Sequence, residues 1–186
     1  MQMTSFLKME HKKIKAMLQI ISRICLQIET GKKVVPEHLE IAVEWISGFA
    51  DKRHHAKEEK LLFPALEIAG IPVKHGPVGC MLEEHEISRG YVRKMRRAVE
   101  DLRHGMADAK SAFLEAARAY TGLLEQHIDK EDNILYQMAN SFLSPEQQRQ
   151  LELSCGDVEA ERGRDELNRF DADLRLLSEC YGLAPA

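Results

Sequence analysis

HHAKEEKLLF at residues 54–63 and HIDKEDNILY at residues 127–136 decide how this chain is read. Aligned on their first histidines, they agree at His, at Lys and at the Glu four places after the His. They then differ conservatively, with Asp for Glu, Ile for Leu and Tyr for Phe. The separation is 73 residues (127 − 54). A second echo precedes each: MEHKKI around His11 resembles EEHEIS around His85, 74 residues apart (85 − 11). A unit of two helices is therefore expected twice in one chain.

The periodicity is helical throughout. Leu7, His11, Ile14, Leu18, Ile21, Cys25 and Ile28 step by four and three, which puts them on one face of a first helix over residues 4–30, closed by Gly31. A second helix runs from Pro36 to Ala69, where GIPVKHGPVG supplies breakers, and Pro64 is expected to kink its last turns. A third, over 78–104, carries Val78, Met81, His85, Ser88, Val92, Met95, Val99 and Leu102. A fourth, over 108–143, carries Phe113, Ala117, Tyr120, Leu124, His127, Glu131, Ile134 and Met138. Four long helices with short loops predict an all-α domain over residues 1–143, an up-and-down antiparallel four-helix bundle. Ser144 and Pro145 open a helical extension over 144–186, packed on or beside the bundle. Its two segments, SPEQQRQLELSC and ELNRFDADLRLLSECYG, are expected to be separated by a polar bend, GDVEAERGRDE.

Composition narrows the function classes. The chain has 186 residues, 44% of them apolar, and a net charge of −4 with cationic and acidic residues interspersed. Without a basic stripe, nucleic acid is a poor partner. No apolar run is long enough for a signal peptide or a membrane span, so a cytoplasmic, soluble protein is expected. Cys25, Cys80, Cys155 and Cys180 lie far apart and form no CxxC pair, so free thiols are expected, with Cys25 a buried hydrophobe on the first stripe.

The polar residues on those stripes carry the chemistry. His11, His54, His85 and His127 fall at inward positions, and Glu58 and Glu131 follow two of them by one turn, about 6 Å along the axis. Neutral imidazole with carboxylate suits iron, manganese or zinc better than calcium or magnesium. Two carboxylates among four imidazoles can bridge a pair of metals. Buried without metal, each unpaired carboxylate costs several kcal/mol or takes up a proton. A single HxxxE is more often a solvated helix face, and a single His more often a core residue; the interlocking of all six favours metal.

Two frames compete locally. His55 pairs with Glu59 as well as His54 does with Glu58, but Ile128 occupies the matching place in the second copy, so His55 is expected to face solvent or a neighbouring helix. Asp132, five places after His127, remains an alternative to Glu131. His38 and His104, near helix ends, read as surface residues, and His75 in the loop is a further candidate ligand. Tyr120 and Tyr136 are the aromatics placed to flank the site.

EH at 10–11, HHAKEEKLLFP at 54–64, GPVGCMLEEHE at 76–86 and HIDKEDNILY at 127–136 resemble, in this order, the hemerythrin-like family of histidine- and glutamate-bearing cation-binding domains, over about residues 4–143. The resemblance implies a non-haem di-iron site, two iron ions with an oxo or hydroxo bridge, and His11, His54, Glu58, His85, His127 and Glu131 as ligands. It departs from the oxygen-carrying pattern at Arg89, where that pattern has a second histidine on the third helix, and in its four-residue rather than five-residue spacing on the fourth. About two histidines per iron are then expected, leaving positions open to dioxygen, peroxide or nitric oxide. That fits the branch of oxidant-handling, nitric-oxide-responsive and iron-sulfur-cluster repair proteins. The alternative is an iron or oxygen sensor or store without turnover. A redox partner or a homodimer is compatible with either reading.

Overall fold

Stripes that alternate three and four spacings become straight helices. In the computed structural model, which describes residues 2–184, α1 (Met3–Glu29) buries Leu7, His11, Ile14, Leu18, Ile21 and Cys25, the stripe read above. Helix α4 (Pro77–Arg103) starts with proline in its first turn and buries Val78, Met81, His85, Ser88, Val92, Met95 and Val99. A side chain at Gly76, its N-cap, would put Cβ 2.0 Å from the Pro72 carbonyl oxygen, so only glycine admits the turn. Helix α5 (Ala109–Lys130) buries Phe113, Ala117, Tyr120, Leu124 and His127.

The run from Pro36 to Ile68 is built differently. After α2 (Pro36–Trp45) it widens into π-helix over Ile46–His55 and again over Glu58–Leu62, then returns to α-helix as α3 (Phe63–Ile68). Ala42, Ile46, Ala50, His54, Glu58, Leu62 and Leu66 are all buried at a uniform spacing of four. An α-helix advances about 100° per residue, so each step of four would drift by about 40° and carry the row round to solvent. Widened turns keep it inward.

The second widening is duplicated. Glu131–Leu135 is π-helical, followed by α6 (Tyr136–Phe142), and each segment starts at a central glutamate, 73 residues apart (131 − 58). Pro64 was expected to distort its helix, yet Gln137 holds the matching place in the second copy. The distortion therefore belongs to the site rather than to the proline. The widening over Ile46–His55 has no counterpart, because the equivalent residues lie within α5.

Helix α5 packs against both α1 and α4, and α2 with the first π segment packs against α4 and α1. Two apolar clusters fill the interior. One includes Ile14, Ala50, Val92 and Leu124; the other includes Leu7, Leu62, Met81 and Leu135. On each helical stretch the inward histidine lies between the two.

Helix α7 (Pro145–Arg162) opens at Ser144 with a capping box to Gln147. The expected bend over 156–166 contracts to Gly163, at φ 79°, and the polar residues before it stay helical, as good helix formers without an apolar stripe can. Helix α8 (Arg164–Cys180) packs on α1 and α2: Phe170 meets Trp45 and Phe49, and Trp45 Nε1 donates to the Phe170 carbonyl at 2.9 Å. Gly48 makes room for that ring, since a Cβ there would lie 2.4 Å from Phe170 Cζ. All four cysteines are free, Cys25 and Cys155 buried, Cys80 and Cys180 exposed. Among the described residues no helix is long and apolar enough to cross a membrane. Met1 and residues 185–186, at the ends of the expected segments 1–143 and 144–186, lie outside the described residues.

Candidate metal centre

Between the two apolar clusters lies a buried polar layer. His11, His54, His85, His127, Glu58 and Glu131 all come together there, each at most 1% exposed. Two groups of donor atoms within 4.8 Å of one another could each hold an ion: His11, His54, Glu58 and Glu131 form one, and His55, Glu58, His85 and His127 the other. Glu58 is common to both. Glu131 also spans them, with Oε2 3.2 Å from His11 Nε2 and Oε1 3.2 Å from His127 Nε2.

His55 faces a neighbouring helix rather than solvent, and does so from within the centre. It is buried, and its ring stacks on His85 at 3.8 Å between centroids, inside the second group. The unduplicated π segment ends at this residue, and the widened turn brings two consecutive imidazoles inward where α5 brings one. The centre therefore contains five imidazoles, not four. His75 lies in an exposed turn at φ 57°, outside both groups; His104 is exposed, and His38 is half-buried against the Tyr181 hydroxyl.

Four of the five histidines are hydrogen-bonded by a carboxylate at Nδ1, and the fifth, His55, has one only nearby. Asp132 Oδ1 lies 2.8 Å from His11, Glu10 Oε2 2.9 Å from His54, Glu59 Oε1 2.7 Å from His85, and Glu84 Oε2 2.8 Å from His127; Asp51 Oδ1 stands 3.7 Å from His55. The open choice between Glu131 and Asp132 thus becomes a division of labour, Glu131 in the centre and Asp132 behind His11. The pairing obeys the duplication: Glu10 serves the histidine of the next helix as Glu84 does, and Glu59 and Asp132 likewise match. Each of these carboxylates is paired with a cation, two of them with the same one. Lys57 meets Glu10, Lys130 meets Glu84, Lys15 meets Asp132, and Arg89 spans Asp51 and Glu59 at 2.7 Å from each. Arg89 takes the place of the histidine of the oxygen-carrying pattern by holding the carboxylates behind His55 and His85.

A carboxylate only accepts, so these contacts put the hydrogen on Nδ1 and leave the Nε2 lone pair facing inward. His85 Nε2 and His127 Nε2 then stand 3.1 Å apart. Two lone pairs at that distance repel unless a proton or a cation lies between them. His54 Nε2, Glu58 Oε2 and both Glu131 oxygens are buried without a hydrogen-bond partner, their lone pairs converging on shared space rather than on one another. That is the signature of a cation site.

The titration behaviour agrees. Burial, and then neighbouring imidazoles, hold His54 well below its ordinary range and His55 at about 3, so both are neutral at pH 7. Burial and the Glu131 charge push Glu58 well up. Burial opposes ionisation of Glu131 too, but His127 and His11 hold it well down. Burial alone would lower His127, yet the Glu131 and Glu84 carboxylates raise it to about 9. Without a cation, protons stand in for the missing charge.

Tyr136 belongs to this layer: its hydroxyl donates to Glu58 Oε1 at 2.6 Å, and its ring stacks on His11 at 5.4 Å. Phe63, its counterpart in the first copy, stacks on His85 with no hydroxyl to offer. Tyr120 lies instead in the larger apolar cluster.

No curated protein and no solved structure matches the chain significantly. The profile of the family described as Hemerythrin HHE cation binding domain matches residues 2–139. The match spans most of the chain and all of the buried polar layer; the chain belongs to the Hemerythrin HHE cation binding domain family.

Proposed function

We propose that the chain is a non-haem di-iron protein that binds, and reduces, a small oxidising ligand: dioxygen, peroxide or nitric oxide. In this reading residues 1–143 are an up-and-down antiparallel four-helix bundle and residues 144–186 its extension. His11, His54, Glu58 and Glu131 would hold one ion and His55, Glu58, His85 and His127 the other, with Glu58 and Glu131 within reach of both. The facing Nε2 atoms of His85 and His127, 3.1 Å apart with their hydrogens directed at carboxylates, carry the assignment of a cation. The mixed donor set supports iron, manganese or zinc over harder ions. Iron when bound supplies Lewis acidity and exchangeable electrons.

The protein's own residues make the two ion positions unequal. Three imidazoles crowd the group that contains His55. Two imidazoles face the other, with the Tyr136 hydroxyl 3.3 Å from His11 Nε2. The His11 and His54 side, with fewer imidazoles, would be the one to take an incoming ligand, beside the Tyr136 hydroxyl that donates to Glu58 Oε1. The apolar clusters above and below exclude water from the layer.

Absorption spectroscopy of iron-loaded, air-exposed protein tests this. A near-ultraviolet band of a bridged ferric pair that shifts when azide is added, with peroxide consumed, supports the proposal. Ligand-induced shifts without consumption would favour a sensor or store. No shift with either ligand would contradict both.

A further inference from the structure

The two copies carry the same three-residue chain behind a histidine, and only one of these is covered. In the second copy Lys130 pairs with Glu84, which faces His127, and the Lys130 side chain remains 36% exposed. In the first, Lys57 Nζ lies 2.5 Å from Glu10 Oε1, and Glu10 faces His54; here the lysine side chain is 0% exposed. The difference is α7, outside the family match, which brings Glu159 Oε1 to 2.5 Å from the same Nζ. Glu159 also pairs with Arg53, which is buried and reaches Glu166 on α8 at 3.1 Å.

Helix α7 buries little apolar surface, and its other polar ties include Gln148 with Gln2 and Arg162 with the Lys52 carbonyl. Of its 18 residues only Leu151 and Cys155 are buried, whereas α8 is anchored by Phe170, Leu174 and Leu177. A buried ion chain missing one member leaves its neighbours unpaired at high cost, so the seat of α7 depends on the charges beneath it.

We infer that α7 is a clamp on the ion position that contains His54: Glu159 positions Lys57, Lys57 fixes Glu10, and Glu10 orients the imidazole. A cation at His54 Nε2 polarises the Nδ1–H and tightens its hydrogen bond to Glu10, which strengthens the chain out to Glu159. Coupling of this kind is reciprocal, so seating α7 favours the cation as much as the cation favours seating α7. The inference rests on the metal assignment proposed above.

Cobalt(II) titration of the full chain, with hydrogen exchange followed in parallel, tests it. Wild type is expected to bind two equivalents, and loading to slow amide exchange across residues 145–162 more than across α8. Glu159→Gln is expected to weaken one equivalent about fivefold and spare the other. Asp171→Asn, which breaks a 2.6 Å pair between α8 and Lys13 on α1, should leave both equivalents unchanged. A merely structural Glu159 would lower thermal stability without separating the two binding steps. Two wild-type equivalents bound unchanged by Glu159→Gln, or both weakened alike, overturn the clamp and leave the metal assignment standing; no binding by wild type overturns the assignment and the clamp together. Should Glu159→Gln fail to fold, wild-type exchange decides: protection of α7 on loading supports the clamp, and its absence sinks it.

Discussion

The first and second copies of the two-helix unit place nearly the same side chains around one polar layer, and they differ at two points that matter. His55 in the first copy is matched by Ile128, and Phe63 by Tyr136 of the second. The first exchange gives one group of donors a third imidazole; the second sets a hydroxyl beside the other group. Duplication thus supplies a nearly symmetric cage of histidines, and two substitutions make its two sides chemically unlike. The same comparison separates what is common to the centre, Glu58 and Glu131 reaching both groups of donors, from what is particular to one side.

The most damaging change to both sides at once is loss of a shared carboxylate. Glu58→Ala is expected to take iron content from two per chain to well under one, while circular dichroism keeps its helical signal because a buried acid has been removed rather than exposed. Retention of a full ion would show that Glu58 does not bridge. His55→Ile, which copies the second copy into the first, should weaken one ion by more than the roughly 10–100-fold typical of losing an aiming partner, and leave the other in place. Equal binding of both ions by this variant would restore the expectation that His55 is a bystander.

Arg89→Ala loosens Asp51 and Glu59 together, so about a tenfold loss of affinity confined to the ion near His55 and His85 is expected in the same titration. Loss on the His11 side instead would mean that the two positions are not independently framed. The smallest effect is on pH. His127 is raised in the folded state to about 9 from 6.5, and Glu58 is raised as well, so the stability each proton contributes is present at low pH and is lost as pH rises through the folded value. The melting temperature of metal-free protein should therefore fall by a few degrees between about pH 6.5 and pH 9. Loaded protein should show less of this slope, since cations replace the protons; parallel slopes would contradict that replacement.

The helices and four of the five histidines were legible because three-four periodicity and an internal repeat report the same face twice. His55 was not, because the repeat argued against it and because its helix follows another rule. The uniform four-residue spacing from Ala42 to Leu66 was present in the sequence, and on an α-helix it has no stable inward face, so it implied widened turns; a search for α-periodicity passes over it. The aiming carboxylates were hidden for a different reason. Glu10 and Glu84 recur 74 residues apart (84 − 10), but each reaches a histidine on another helix, and periodicity along one helix says nothing of the side chain across from it. The bend over 156–166 was overextended because polar composition was read as non-helical, although glutamate, alanine and arginine sustain a helix until Gly163.

Anaerobic titration of the metal-free chain with ferrous iron tests the central claim most directly. Two ions per chain, falling to one in His55→Ile and to almost none in Glu58→Ala, is the predicted result. Saturation at one ion or none in wild type, or indifference to Glu58, would contradict it.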